Sequence, residues 1–106
     1  MTPEGKIKNQ VKKLLSSVGP ELDQMWYVQN GMGSPALDCV VCYRGFHCEI
    51  ETKAPGKKPT ARQEVTIAKR RRAGSYVFVI AGEADLAPLK QWLAVAEMLP
   101  AIHVDQ

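Results

Sequence analysis

The stretch "DCVVCYRGFHCEIETK", residues 38–53, decides the fold. Two runs rich in β-branched, aromatic and cysteine residues, "DCVVCYR" and "FHCEIETK", flank Gly45, a pattern that predicts adjacent strands joined by a tight turn. Side chains alternate along an extended chain. In the second strand Phe46, Cys48, Ile50 and Thr52 therefore form a face that can pack, while His47, Glu49, Glu51 and Lys53 form one that is polar throughout. A strand in a small domain that spends a whole face on two carboxylates, a histidine and a lysine demands a chemical reason.

The elements on either side place this hairpin in a layered α/β domain. Upstream, Thr2 is a natural N-cap with Pro3 in the first turn, and Ile7, Val11, Leu14 and Leu15 recur at helical spacing until Gly19-Pro20. "MWYVQ", residues 25–29, reads as a short strand, and the glycine-rich "NGMGSPAL" follows it. Downstream, "APGKKP" is a loop, and Thr60 with Gln63 spells a capping box that opens the helix "ARQEVTIAKRRRAG". Ala61, Val65, Ala68 and Arg72 share one side of it and are expected to face a sheet; Gly74 is its stop. "SYVFVIAG" lacks the alternation of a solvated edge and predicts a central strand. Asp85 is expected to cap a last helix whose apolar side includes Leu89, Trp92, Leu93 and residues 95–99; "AIHVDQ" is a tail or edge piece. The order helix, strands, helix, strand, helix predicts a mixed central sheet flanked by helices.

Composition bounds the rest. A chain of 106 residues, 45% hydrophobic and 24% charged, is expected to form a single domain over residues 1–106. No apolar run approaches the roughly 18 residues of a membrane span, and the N-terminus lacks the apolar stretch of a secretory signal, so a cytoplasmic protein without membrane association is expected. Three cysteines cannot all pair within one chain, which favours reduced thiols. The Cys39-x-x-Cys42 spelling puts its two thiols on opposite faces of a strand and has no second ligand pair, so both read as small hydrophobes and not as a zinc site. His47 reads as a surface residue, and Trp26 and Trp92 as core or interface anchors. A net charge of +3 says little, but Lys57, Lys58, Arg62, Lys69, Arg70, Arg71 and Arg72 crowd into one short stretch suited to phosphates. The glycines of "GMGSPAL" do not spell G-x-G-x-x-G and precede a strand, which argues against a dinucleotide-binding enzyme.

The polar face acquires its reason from Asp38, which begins the partner strand. Asp38 and Glu51 can converge on a hard divalent cation, since Mg²⁺ prefers carboxylate oxygens and keeps several waters. Lys53, on the same face as Glu51, can orient an attacking water or act as a point charge on a phosphoryl transition state.

These residues, Leu37-Asp38, "IETK" at 50–53 and Gln63 beyond "APGKKPTARQ", resemble the PD-(D/E)XK nuclease superfamily, and within it the VRR-NUC family of virus-type replication-repair nucleases. The resemblance runs from about Glu4 to Trp92 and is most specific from Asp38 to Gln63. It implies a restriction-endonuclease-like fold and Mg²⁺- or Mn²⁺-dependent hydrolysis of DNA phosphodiesters. By similarity Asp38 and Glu51 are the metal-binding acids, Lys53 the motif lysine and Gln63 the glutamine of the helix after the core strands. Glu4 matches the less universal acid of the first helix and is an additional metal candidate. Small stand-alone members look like phage proteins, which would act in a host cytoplasm, and are similar to Holliday-junction resolvases in size and dimeric habit. One departure stands out: the family reads Gly-x-Pro-Asp, whereas here Ala36 and Leu37 separate Pro35 from Asp38.

The expected function is thus a metal-dependent DNA endonuclease, selective for branched or four-way-junction structure with little sequence preference, acting as a homodimer. The basic loop and helix would clamp the DNA backbone without reading bases. A noncatalytic DNA-binding or dimerisation module on the same scaffold, or a nuclease with another nucleic-acid substrate such as RNA, are the alternatives. Convergence of Asp38, Glu51 and Lys53 discriminates the first of them.

Overall fold

A computed structural model of the chain describes residues 1–28 and 36–102. Helix α1 (Pro3–Ser16) leads through strand β1 (Leu22–Trp26) to the hairpin of β2 (Cys39–Tyr43) and β3 (Phe46–Thr52). Helix α2 (Ala61–Arg72), strand β4 (Tyr76–Ile80), a 3₁₀ turn (Glu83–Asp85) and helix α3 (Leu86–Met98) complete the described chain. The strands lie in the order β1-β2-β3-β4, antiparallel between β1, β2 and β3 and parallel between β3 and β4. Parallel pairing follows from the crossover, since α2 carries the chain back to the end of the sheet where β3 began. The expected mixed sheet flanked by helices is therefore the observed architecture.

Helices α1 and α3 share one face of the sheet. Ile7, Val11 and Leu15 from α1 and Leu89, Leu93 and Ala96 from α3 bury Cys39, Val41, Cys48, Ile50 and Ile80. Phe78 and Trp92 meet edge-on at 6.3 Å between ring centroids, and Trp26 packs on the same cluster with the Lys12 ammonium 5.0 Å from its ring centroid. Both tryptophans thus pack against the core, Trp26 also meeting a lysine ammonium as a cation–π pair. Among the described residues the opposite face carries only a small apolar cluster of Leu37, Ile67, Val77 and Val79 beneath α2. That poverty of apolar contact leaves the second face available for polar work. Among the described residues no helix is long and apolar enough to cross a membrane.

The β2–β3 turn is made by Arg44 and Gly45, with φ of 55° and 88°, the left-handed pair that matches the twist of a two-residue hairpin. A Cβ on Gly45 would collide with the Ile102 carbonyl oxygen. Arg44 holds its unusual backbone through many contacts: its guanidinium donates to the Ala96 and Leu99 carbonyls at 3.3 and 2.9 Å and pairs with Glu21 at 3.3 Å. One turn residue thereby closes the carboxyl end of α3, satisfying carbonyls that a helix leaves unpaired.

Four expectations need correction. Strand β1 begins at Leu22 and ends at Trp26 instead of running over residues 25–29; Leu22, Gln24 and Trp26 supply its half-buried side, and Gln29 lies outside the described residues. Strand β4 is the last strand of the described sheet, not a central one. Its apolar character comes from helices on both faces, α2 over Val77 and Val79 and α3 over Phe78 and Ile80. Helix α2 does not bury Ala61, Val65, Ala68 and Arg72: all four are exposed, Val65 by 56%. Its sheet side is Gln63, Ile67, Arg70 and Arg71, an i, i+4, i+7, i+8 stripe chosen by a sheet face that itself bears carboxylates. Finally, Asp85 does not cap α3 through its side chain, because its own backbone is already helical and its carboxylate turns back to accept the Ala81 N–H at 2.9 Å. The tail ties in through the Ile102 N–H, which donates to the Arg44 carbonyl at 2.9 Å; residues 103–106, with His103, lie outside the described residues.

Candidate active site

The β2–β3 register pairs Cys39 with Ile50 and Val40 with Glu49, so one step further Asp38 stands opposite Glu51 at the open end of the hairpin. Both are buried, 3% and 2% exposed. They lock each other through the main chain. The Asp38 N–H donates to Glu51 Oε1 at 3.3 Å, and the next residue of β3, Thr52, donates both its N–H and its hydroxyl to Asp38 Oδ2 at 2.8 Å each. Glu51 Oε2 receives the Lys53 ammonium at 3.5 Å and the Gln63 side-chain amide at 2.9 Å. The Lys53 backbone N–H donates to the Ile80 carbonyl at 2.9 Å, which pins this end of β3 to β4.

Gln63 performs two jobs at once. Its Oε1 accepts the Thr60 N–H at 2.9 Å while Thr60 Oγ1 accepts the Gln63 N–H at 3.2 Å, completing the capping box. Its amide nitrogen remains for Glu51. The cap and the site contact do not compete because an amide side chain carries an acceptor and donors on different atoms.

Asp38, Glu51, Lys53 and Gln63 are therefore brought together. Glu4 lies in the first turn of α1, 3.9 Å from Lys8 in an i,i+4 pair. Glu49, on the same face of β3 as Glu51, is buried against Arg70 at 3.5 Å, and Arg71 donates to the Val77 carbonyl at 2.8 Å. Two of the seven clustered cations thus hold α2 onto the sheet. Lys57 and Lys58 on the loop, Arg62 at the start of α2 and Lys69 and Arg72 near its end are exposed. At 1.5 Å per residue, Lys69 and Arg72 lie about 9 and 14 Å along the helix from Gln63. His47 meets the Ser75 hydroxyl at 3.2 Å. Of the cysteines, Cys39 and Cys48 are buried and Cys42 is exposed, which puts the two thiols of Cys-x-x-Cys on opposite faces as expected. Burial, then the Asp38 charge, pushes the Cys39 thiol up to about 12. Gly33, Ser34 and Pro35 of the departing Gly-x-Pro match lie outside the described residues; Leu37 is buried beneath α2.

Burial, and next the charge of Asp38, raise the Glu51 carboxyl to about 6; Lys53 and the hydrogen bonds from the Asp38 N–H and Lys53 pull the other way without winning. A carboxyl raised on folding favours the folded state when protonated. Its contribution is fully present below the unfolded value near 4.5 and is lost as pH rises through about 6. Relative to Glu51→Gln, metal-free protein should lose on the order of 2 kcal/mol of stability between pH 4.5 and 7. Paired denaturant titrations at several pH values measure this, and a pH-independent difference between the two proteins would refute it.

The donor set fits a hard divalent cation. Two buried, mutually repelling carboxylates gain from a dication between them, and Mg²⁺ typically takes only one or two protein carboxylates, keeping waters and substrate phosphate as its other ligands. Among the described residues no three His, Cys, Asp or Glu side chains gather into a fuller cage. The residue that the alternation rule hides is Thr52, counted with the packing face although its hydroxyl reaches Asp38.

A sheet of this topology with paired carboxylates, a lysine and a helix glutamine at the open end of its hairpin defines a restriction-endonuclease-like domain. No family model matches the sequence, and no curated protein does. Among solved structures the chain is similar to one described as a VRR_NUC domain, with a TM-score of 0.73 and 25% identity over 86% of this chain and 97% of that one. This likeness supports the restriction-endonuclease-like fold and agrees with the VRR-NUC resemblance carried by the motif residues.

Proposed function

We propose that the protein is a Mg²⁺- or Mn²⁺-dependent endonuclease that hydrolyses DNA phosphodiesters at the site built by Asp38, Glu51, Lys53 and Gln63. The observation that carries this reading is the meeting of three charged side chains with a helix glutamine at one end of the sheet. A noncatalytic DNA-binding module would have no use for two buried carboxylates facing each other. Asp38 and Glu51 would hold the cation, which when bound neutralises phosphate charge and makes a coordinated water more acidic. Gln63 fixes the Oε2 side of Glu51. Lys53, shielded from solvent and already oriented by Glu51, places a positive charge where an attacking water or a developing phosphoryl charge needs it.

Lys57 and Lys58 on the exposed loop after Lys53, and Arg62 next to Gln63, would supply phosphate contacts, with Lys69 and Arg72 further along the helix as a second set. Such contacts position a backbone without reading sequence. The described chain has no long recognition helix, zinc finger or arginine-rich arm to enter a groove. Selection by shape is then the natural mode: a two-fold homodimer would present paired sites whose spacing favours bent or branched DNA.

The test is a cleavage panel of end-labelled four-way junction, flap, single strand, linear duplex and RNA, with Asp38→Asn protein as the control. The four-way junction or another branched substrate should be cut in preference to linear duplex of the same sequence, and raised salt should suppress both reactions. Preferential cutting of linear duplex at a defined sequence would overturn structure selectivity. Cleavage of RNA alone would move the activity to another nucleic acid.

A further inference from the structure

We propose that Thr52 is a positioning residue for Asp38, fixing which carboxylate oxygen is turned toward the β3 backbone and so how Asp38 meets a cation. The inference rests on the nuclease reading above and deepens it. Thr52 stands between Glu51 and Lys53, on the side of β3 that packs against the α1/α3 core; its register partner is Ile80, and it is fully buried. An apolar side chain of the same shape would suit that layer at lower cost, because a buried hydroxyl is expensive unless it is hydrogen-bonded. The hydroxyl has such a partner in Asp38 Oδ2, at 2.8 Å.

The backbone makes the same contact. The β2–β3 ladder is registered only from Cys39 onward, and the Thr52 N–H, one ladder position past Ile50 on the same side, points to where β2 has already ended. The Asp38 carboxylate stands in for the missing main-chain carbonyl, accepting that N–H at 2.8 Å. Two donors from one residue converge on one oxygen, while the Asp38 N–H is held by Glu51 at 3.3 Å. The Asp38 side chain is thus oriented from both ends of its own residue. Removing one of the two donors loosens the hold on Oδ2, and loss of such a supporting contact typically costs about 10- to 100-fold in metal affinity or activity.

The experiment compares wild type, Thr52→Val, Thr52→Ser and Asp38→Asn by calorimetric titration with Mn²⁺, by nicking kinetics on a fixed DNA substrate, and by thermal melts without metal. Thr52→Val should lose about 10-fold in Mn²⁺ affinity and about 10-fold in kcat, with KM for DNA unchanged, and Thr52→Ser, which keeps the donor, should recover most of both. A Thr52→Val protein that melts lower but matches wild type in Mn²⁺ affinity and kcat has lost packing only, and would overturn the proposal. So would a Thr52→Ser protein as impaired as Thr52→Val. If Thr52→Val does not fold, Thr52→Cys retains the size with a weaker donor; it should show the same losses in smaller degree, and wild-type values would again overturn the role. The Asp38→Asn arm separates the two levels: unchanged Mn²⁺ affinity there would remove the metal reading itself, whereas its loss beside an unaffected Thr52→Val removes only the positioning role.

Discussion

Asp38→Asn is expected to abolish metal-dependent cleavage, by on the order of 10³-fold or more, and to weaken Mn²⁺ binding in calorimetric titration while leaving the metal-free protein folded. The fold should tolerate the change for a local reason. An asparagine Oδ1 can accept the Thr52 N–H and hydroxyl as the aspartate Oδ2 does, at 2.8 Å each, so the end of the hairpin keeps its closure. What disappears is a negative charge beside Glu51. Because that charge is the second cause, after burial, of the raised Glu51 carboxyl, Glu51 should ionise more easily in the variant, and the loss of stability with rising pH should become shallower. Wild-type Mn²⁺ affinity in Asp38→Asn would sink the metal assignment, and nuclease activity surviving the change would point to a contaminant or to another site.

The second large effect is expected at Lys53. Lys53→Ala should lose roughly 10²- to 10³-fold in cleavage rate and keep most of its DNA affinity. One ammonium is a small part of a surface that also includes Lys57, Lys58, Arg62, Lys69 and Arg72, and the salt dependence of binding should fall by no more than about one phosphate contact. The ammonium sits 3.5 Å from Glu51 Oε2, with its side chain 15% exposed. Its removal leaves a buried carboxylate with only hydrogen-bond donors as partners, which raises the Glu51 carboxyl further. The low-pH limb of any residual activity should accordingly move to higher pH. Parallel gel-binding and nicking assays decide the point; proportionate losses in both would mean that Lys53 binds substrate and does not act on the reaction.

These two residues, with Glu51, could be found without coordinates because their spacing reflects local geometry. Glu51 and Lys53 share a strand face by simple alternation, and the tight turn expected at Gly45 brings Asp38, at the start of the partner strand, toward them. The capping box at Thr60 and Gln63 was equally legible, since it depends on four consecutive residues. Periodicity misled where a distant surface set the outcome. Val65 and Ala68 look like the buried side of α2, yet the sheet beneath carries Glu49 and Glu51, and their need for donors turns Gln63, Ile67 and Arg70 inward instead. The apolar run of β4 reads as a central strand because a sequence cannot distinguish burial by neighbouring strands from burial by helices on both faces.

Sequence alone thus determined the hairpin, the starts of α1 and α2 and the pairing of Asp38 and Glu51 with Lys53, because each follows from side-chain alternation, capping chemistry or turn geometry within a few residues. Tertiary structure decided which atoms of those residues are engaged: that Gln63 serves the cap with its oxygen and Glu51 with its nitrogen, that Arg70 and Arg71 hold α2 to the sheet, and that Thr52 reaches from the packed side to Asp38. Hydrogen-bond partners separated by many residues are chosen by the desolvation of buried polar groups, which must find whatever donor the fold brings within reach, and that choice exists only once the layers have packed.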